Sequence, residues 1–232
     1  MFGSSYFDNS VSYRSASALN EAMGRVYMHM GLAVLTSMVV SMLVASSPAL
    51  MTFLFTGAMK WVVMFLPLVA VFGIGYALGT NPPKELAILM LHGFAAIMGL
   101  SFATIFVVFK IGSIVSAFMG AAVLFGVMSI YGYFTKRSLD SLGKFMVIGL
   151  IAIIIASIIN IFIGSSVFGM VISTLAIIIF LGLTAYDTQR IREMLQYDDA
   201  SAAAEISGAL SLYLNFINIF LSLLQLTGSR NE

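Results

Sequence analysis

Seven long apolar stretches, separated by short polar breaks, account for most of this chain. Each stretch is close to the roughly 20 residues that a helix needs to cross the hydrocarbon of a membrane. The predicted spans cover residues 26–46, 58–79, 86–108, 112–134, 145–164, 167–188 and 206–228. The pattern therefore predicts an all-α integral membrane protein built as a bundle of seven transmembrane helices.

The polar breaks set the predicted ends of the spans. The second span ends at Asn81-Pro82-Pro83, because consecutive prolines lack the amide donors that a helix requires. The Ser-rich residues 1–24 are expected to form a mobile polar N-terminal tail, and residues 25–229 form the transmembrane domain. The first apolar run is longer than the core of a cleaved secretory signal, so we interpret it as a retained helix.

Composition supports a membrane protein and argues against several other classes. Hydrophobic residues make up 60% of the chain and charged residues only 9%, whereas a soluble domain carries about 25% charged residues. A net charge of +1 gives no basic field for nucleic acid. Cysteine is absent, which excludes disulfides and thiolate metal sites. The sequence contains no phosphate loop, zinc-protease motif or serine nucleophile elbow, so we expect neither an enzyme nor a cofactor.

The distribution of the 11 Lys and Arg residues predicts the orientation. With a cytoplasmic N-terminus, the far side of the membrane receives only Lys60, Lys110 and Arg230. The other basic residues fall on the cytoplasmic side, as the positive-inside rule requires. This predicts an N-in/C-out bundle. A re-entrant last segment would change only the C-terminal side, where Arg230 is the only basic residue, so the seventh span has the least constrained topology.

Asp187 is the most informative polar residue, because it lies at the end of the sixth apolar span, where a carboxylate is costly to desolvate. Thr184 and Arg190 lie three residues away on either side and therefore share its helical face. One interpretation is an interfacial ion pair between Asp187 and Arg190. The other is an acid in a water-accessible vestibule, which gates an ion path or changes its protonation state.

Other polar residues within the spans also have two interpretations. Asn215 and Asn218 share a face of the seventh span and either hydrogen-bond to neighbouring helices or line a polar interior with Tyr213 at its rim. His29 and His92 either sense pH or lie in the membrane interface. No spacing brings histidines and carboxylates together as metal ligands.

Two sequence segments resemble the Bax inhibitor-1 family, also called transmembrane Bax inhibitor motif proteins, in its bacterial branch. The most specific matches are Gly182-Leu-Thr-Ala-Tyr-Asp-Thr-Gln-Arg-Ile191 and Gly208-Ala-Leu-Ser-Leu-Tyr-Leu-Asn-Phe-Ile-Asn-Ile-Phe220. Supporting matches are Met128-Ser-Ile-Tyr-Gly-Tyr-Phe-Thr-Lys-Arg137 and Ala156-Ser-Ile-Ile-Asn160. The resemblance covers essentially the whole membrane region. It implies a multi-pass protein of the bacterial inner membrane whose last helix is central.

The resemblance also implies a pH-sensitive calcium leak. In the family, two aspartates on the sixth and seventh spans share a hydrogen bond and sense pH. The first matches Asp187, but the second falls at Asn215, which has no proton to lose and no charge to attract Ca²⁺. Asp187 would then bind Ca²⁺ only weakly in transit. Lys84 is the only candidate for the family's basic lock, while Thr184, Arg190, Asn218 and His92 are expected to give supporting polar contacts.

Two questions remain open at this level. Counting residues along the helices leaves Asp187 and Asn215 about 9 Å apart in depth, although the resemblance pairs them. The resemblance also extends to bacterial relatives that moderate a membrane-anchored ATP-dependent protease. The alternative function is therefore a non-transporting membrane regulator that binds such a protease, with the Ser-rich tail as its contact.

Overall fold

The computed structural model describes residues 13–197 and 201–231, which fold almost entirely into helices. The eight helices of these residues are α1 (Ala16–Ala45), α2 (Pro48–Phe55), α3 (Met59–Gly79), α4 (Lys84–Val108), α5 (Ile111–Phe134), α6 (Asp140–Ile163), α7 (Ser166–Leu195) and α8 (Ala202–Thr227). All except α2 are long and apolar enough to cross a membrane. The prediction of an all-α bundle with seven membrane helices is confirmed.

The short helix α2 is an element that the hydrophobic pattern did not predict. Ser47 caps it by accepting a hydrogen bond from the amide of Leu50 (3.4 Å), and Pro48 occupies its first turn, where no amide donor is needed. With eight residues, α2 is too short to span the membrane. It therefore connects two membrane helices without adding a crossing.

The first membrane helix begins earlier than the sequence indicated. Ser15 accepts a hydrogen bond from the amide of Ala18 (3.3 Å), and α1 starts at Ala16. Residues 16–24 therefore belong to this helix and not to the mobile tail predicted over residues 1–24. Residues 1–12 of that tail lie outside the described residues, so for them the tail stays a prediction.

Helix α8 lies at the centre of the bundle. It packs against α1, α3, α4, α5 and α7. Buried residues make up 61% of its most apolar 18-residue stretch, against 39% or less in every other membrane helix. A helix surrounded by others loses most of its contact with lipid, which lowers the cost of the polar groups that α8 carries. The expectation of a central last helix is confirmed.

The two termini lie at opposite ends of this bundle. At one end, the amide of Arg14 donates to the carbonyl of Gln196 (2.8 Å), just beyond the end of α7. At the other end, the amide of Lys110 donates to the carbonyl of Ser229, just beyond α8 (3.0 Å). Helix α8 therefore crosses from end to end and is not re-entrant. We call these the N-terminal and C-terminal ends of the bundle; that the N-terminal end faces the cytoplasm stays a prediction.

Small residues allow close helix packing, but not at every position that their spacing suggested. Gly112 and Ser116, which recur with Gly120 every four residues along α5, are exposed. Helix α5 instead approaches α7 through Gly132, where an added Cβ would overlap the carbonyl of Ala185. Spacing identifies small residues on a common face, but only the partner helices decide which face is packed.

Candidate functional site

Asp187 and Asn215 form the centre of the candidate site. The side-chain amide of Asn215 donates a hydrogen bond to Oδ2 of Asp187 over 2.7 Å, which joins α7 to α8. Asn215 is buried and Asp187 is half-buried. The separation in depth predicted from residue counts does not keep them apart, since the hydrogen bond brings the two side chains together. Both residues lie well inside their helices, because α7 continues to Leu195 and α8 begins at Ala202.

The hydrogen-bond partner of the Asp187 carboxylate is neutral. Arg190 is exposed, and none of the ion pairs among residues 13–197 and 201–231 joins it to Asp187. The predicted Asp187–Arg190 ion pair is therefore not formed as a direct contact, and Arg190 acts on Asp187 only through a longer-range Coulomb attraction. An amide both donates and accepts, so Asn215 can hydrogen-bond to Asp187 in either protonation state. The pair thus accommodates a change of charge at Asp187 without losing its interhelical contact.

Close packing positions α7 just before Asp187. Gly132 of α5 lies directly against the backbone of Ala185, and an added Cβ at Gly143 of α6 would come within 2.5 Å of the Tyr186 ring. Both glycines are therefore required by space, not by backbone conformation. Because α5 and α6 meet two consecutive residues of α7, the rotation and depth of the carboxylate at position 187 are determined by packing.

Hydrogen bonds position α7 just after Asp187. The Thr188 hydroxyl lies 3.1 Å from that of Ser129 on α5, and Ser129 is also hydrogen-bonded to the Tyr27 hydroxyl of α1. Gln189 holds the loop before α6, since its Oε1 accepts from the amide of Leu139 (2.8 Å) and its Nε2 donates to the carbonyl of Arg137 (2.9 Å). Four consecutive side chains of α7, at positions 186 to 189, therefore contact other elements of the bundle.

Tyr213 lies in the interior, two residues before Asn215 and on the opposite face of α8. Its side chain is fully buried, and its hydroxyl lies 2.6 Å from that of Ser37 on α1. Ser37 in turn donates to the carbonyl of Ala95 on α4 (2.8 Å). The expectation that Tyr213 lies at the rim of a polar interior was therefore wrong. Its hydroxyl connects α8 to α1 and, through Ser37, to α4. These hydrogen bonds fix α8 on the side away from α7.

The remaining predicted contacts are not made to Asp187. Thr184 is buried, but its hydroxyl donates to the carbonyl of Phe180 in its own helix (2.7 Å). His92 lies 2.8 Å from the Thr36 hydroxyl and joins α4 to α1. Lys84 is exposed at the first residue of α4 and forms no ion pair within the described ranges. Asn218 donates to the carbonyl of Leu214 in its own helix (2.8 Å).

A buried ion pair near the N-terminal end was not predicted. The Arg25 guanidinium donates to both carboxylate oxygens of Glu205, over 2.9 and 2.6 Å, and joins α1 to α8. Arg25 also pairs with Glu21 of its own helix (3.0 Å). One signal in the sequence pointed to it: the two charges directly precede the predicted first and seventh spans, which start on the same side of the membrane.

The site does not contain a preformed metal centre. In the part of the chain that the structure describes, no three His, Asp or Glu side chains come together as metal ligands. Asp187 and Asn215 supply few oxygen atoms, whereas Ca²⁺ takes six to eight. What the arrangement offers chemically is one carboxylate whose charge depends on protonation, at a contact between the central helix and its neighbour.

Comparison with known proteins agrees with this architecture. The model of a family described as inhibitor of apoptosis-promoting Bax1 matches residues 19–232. The inner membrane protein YbhL of Escherichia coli K12 is 34% identical over 217 residues, which cover 91% of this chain and 93% of the relative. An uncharacterized membrane protein of Streptococcus pyogenes serotype M3 is 35% identical over 230 residues, covering 97% and 99%. The chain therefore belongs to the Bax inhibitor family, as a bacterial multi-pass protein of the inner membrane.

Proposed function

We propose that this protein is a pH-sensitive cation leak pathway that passes Ca²⁺ and is gated at the Asp187 contact between α7 and α8. The observation that supports the proposal is the hydrogen bond between Asp187 and Asn215, which joins a half-buried carboxylate to the central helix. An ionisable residue inside a membrane bundle is energetically costly, so its presence favours a functional role. Asp187 contacts α8, the helix that packs against most of the others.

The gating principle follows from the charge of that carboxylate. Ionised Asp187 attracts a cation and requires hydration, whereas protonated Asp187 is neutral and makes only hydrogen bonds. Protonation of Asp187 therefore favours a dry contact between α7 and α8, and its ionisation favours a hydrated one. With a single carboxylate, Ca²⁺ is held weakly, as transit through a pathway requires.

The amide at position 215 shapes the expected pH response. Two carboxylates within hydrogen-bonding distance share a proton and titrate as a coupled pair, but an Asp–Asn pair has one titrating group. We therefore expect a shallower pH response than that of a two-acid relative. Asn215→Asp should make the response steeper, because it restores the second acid.

The test is Ca²⁺ uptake into liposomes that contain the purified protein. Uptake is measured from about pH 6 to pH 8, so that rates on either side of neutral pH can be compared. Wild-type protein and Asn215→Asp are compared with Thr174→Val, a lipid-facing change on α7. We expect uptake in all three, with an altered pH profile only in Asn215→Asp. Uptake no greater than in empty liposomes, for wild type and Asn215→Asp alike, would contradict the leak.

That negative result would favour the alternative, a regulator that binds a membrane-anchored ATP-dependent protease. The tail that would make the contact includes residues 1–12, which lie outside the described residues. Site-specific crosslinking from the tail in cells tests this alternative directly. A protease partner captured there, together with a phenotype unaffected by Asp187→Asn, would replace the leak as the function.

A further inference from the structure

A second polar region extends from the Asp187 contact along α8. Asn215, Asn218, Ser222 and Gln225 are spaced by three, four and three residues and therefore share one face of the helix. The stripe begins at the partner of Asp187 and continues for about 15 Å towards the C-terminal end of the bundle. In a membrane interior, such a row of polar side chains is costly unless it meets polar partners or water.

A cavity lies against this stripe, between α6, α7 and α8. Its volume is about 240 Å³, and its polar lining comprises Ser157, Ser173, Asn218, Ser222 and Gln225. A cavity of this size with several polar groups can hold several water molecules. The stripe on α8 therefore faces hydroxyl groups of α6 and α7 across an open space, and not a tightly packed apolar surface.

Apolar side chains of the three helices line the rest of this space, and its polar groups include oxygen atoms with unused acceptor capacity. The Asn218 side chain donates from Nδ2 to the carbonyl of Leu214 (2.8 Å), which leaves its Oδ1 as an acceptor. Ser173 is buried and donates to the carbonyl of Gly169 (3.0 Å), which leaves its oxygen lone pairs. Oxygen atoms of this kind, without a carboxylate, suit water and a weakly held cation.

Asn160 of α6 provides a separate indication of a missing partner. Its Oδ1 is buried without a hydrogen-bond partner among the described residues. Gly169 lies beside it, since an added Cβ there would be 3.3 Å from the amide nitrogens of both Asn160 and Gln225. The Asn160 and Gln225 amides therefore lie close together, and Gln225 lines the cavity. A buried amide oxygen is expected to have a partner, and a water molecule that enters from the cavity would supply it.

Phe180 lies between the cavity and Asp187 along α7. Its largely buried ring lines the cavity, and it precedes Asp187 by seven residues, which places both on one face of α7 about 10 Å apart. An apolar ring in this position would act as a constriction that a hydrated ion passes only when the helices move. The order along α7 is therefore carboxylate, aromatic ring and polar cavity.

We propose that the cavity between α6, α7 and α8 is water-filled and binds the cation in transit through neutral oxygen atoms, as the part of the pathway between Phe180 and the C-terminal end. The identity of the ion rests on the leak function proposed above, whereas hydration of the cavity rests on its own geometry. Binding by amide and hydroxyl oxygens alone is weak, which allows an ion to leave as well as enter.

The absence of cysteine from the chain allows a direct test by thiol labelling. Ser222→Cys and Ser173→Cys place a thiol in the cavity, while Thr174→Cys, one residue further along α7, faces lipid. Ser173 and Thr174 both donate to their own helix, so they form a matched pair. Freeze–thawed proteoliposomes of each variant are treated with 2-(trimethylammonium)ethyl methanethiosulfonate, and the rate of modification is measured by mass spectrometry.

We expect both cavity variants to react at least about tenfold faster than Thr174→Cys, because only a hydrated thiol forms the reactive thiolate. Modification should also reduce Ca²⁺ uptake by both cavity variants, since it leaves a bulky fixed positive charge in the pathway. Labelling of both at the slow rate of Thr174→Cys, or fast labelling without a change in uptake, would overturn the inference. If unlabelled wild-type protein takes up Ca²⁺ normally, either of these results refutes only the cavity proposal and leaves the leak function intact. Absence of uptake by unlabelled wild type would refute the leak function separately.

Discussion

Two carboxylates contact the central helix in different ways. Glu205 is buried on α8 and receives two short hydrogen bonds from the Arg25 guanidinium. Asp187 is half-buried on α7 and receives one from the Asn215 amide. Glu205 and Asn215 lie ten residues apart on α8, or about 15 Å. The two contacts therefore occupy one half of the same helix, but only one of them is neutralised by an opposite charge.

This difference indicates what each carboxylate does. A fully paired buried charge is held in one ionisation state, and losing its partner is costly. A carboxylate whose partner is an amide can exchange charge while keeping its hydrogen bond. We therefore assign the Arg25–Glu205 pair to holding α1 against α8, and the Asp187–Asn215 pair to responding to pH.

Breaking the ion pair should produce the largest loss of stability. Glu205→Gln removes the buried carboxylate and leaves the Arg25 guanidinium paired only with the exposed Glu21, so we expect a loss of about 3 kcal/mol in unfolding free energy. Arg25→Gln should cost a similar amount, and the double variant less than the sum of the two. Denaturant unfolding in detergent measures all three. Additive losses would show that the two side chains are not coupled and would remove the contrast with Asp187.

Disturbing the packing beside Asp187 should have the next largest effect. Gly132→Ala places a Cβ against the backbone of Ala185, and relieving this overlap should cost about 1–3 kcal/mol. Gly126→Ala is the matched control on the same helix, because no atom lies within 4 Å of the added Cβ. Equal thermal stability of the two variants would show that α5 does not position Asp187 as described.

Removing the charge at the α7–α8 contact should have the smallest effect on stability. Asp187→Asn keeps a side chain that can hydrogen-bond to Asn215, so we expect a change below about 1 kcal/mol. The same denaturant series used for Glu205→Gln measures it. A loss as large as that of Glu205→Gln would assign Asp187 a structural role and remove the difference between the two carboxylates.

Most helix boundaries could be predicted because local chemistry sets them. The second span was predicted at residues 58–79 and is Met59–Gly79, and the third was predicted at 86–108 and is Lys84–Val108. Proline and polar turn residues limit these helices from within the sequence. The seven membrane helices follow from apolar length alone, which needs no knowledge of their neighbours.

The errors arose where distant partners override local polarity. Helix α1 extends back to Ala16 through the charged residues Glu21 and Arg25. The charge of Arg25 is tolerated there because Glu205, 180 positions away, neutralises it. Similarly, α7 was predicted to end at residue 188 but continues to Leu195. That extension places Asp187 about two turns inside α7, whereas the apolar boundary put it at the end of the helix. Long-range pairing of this kind leaves no local pattern in the sequence.

The most direct test of the central claim is the pH profile of Ca²⁺ uptake by proteoliposomes containing Asp187→Asn. If Asp187 is the titrating group of the gate, uptake by this variant should be independent of pH from about pH 6 to pH 8, because asparagine cannot lose a proton. Wild-type protein in the same series should show a pH-dependent uptake. An unchanged, wild-type pH profile in Asp187→Asn would contradict the account and place the sensor elsewhere in the bundle.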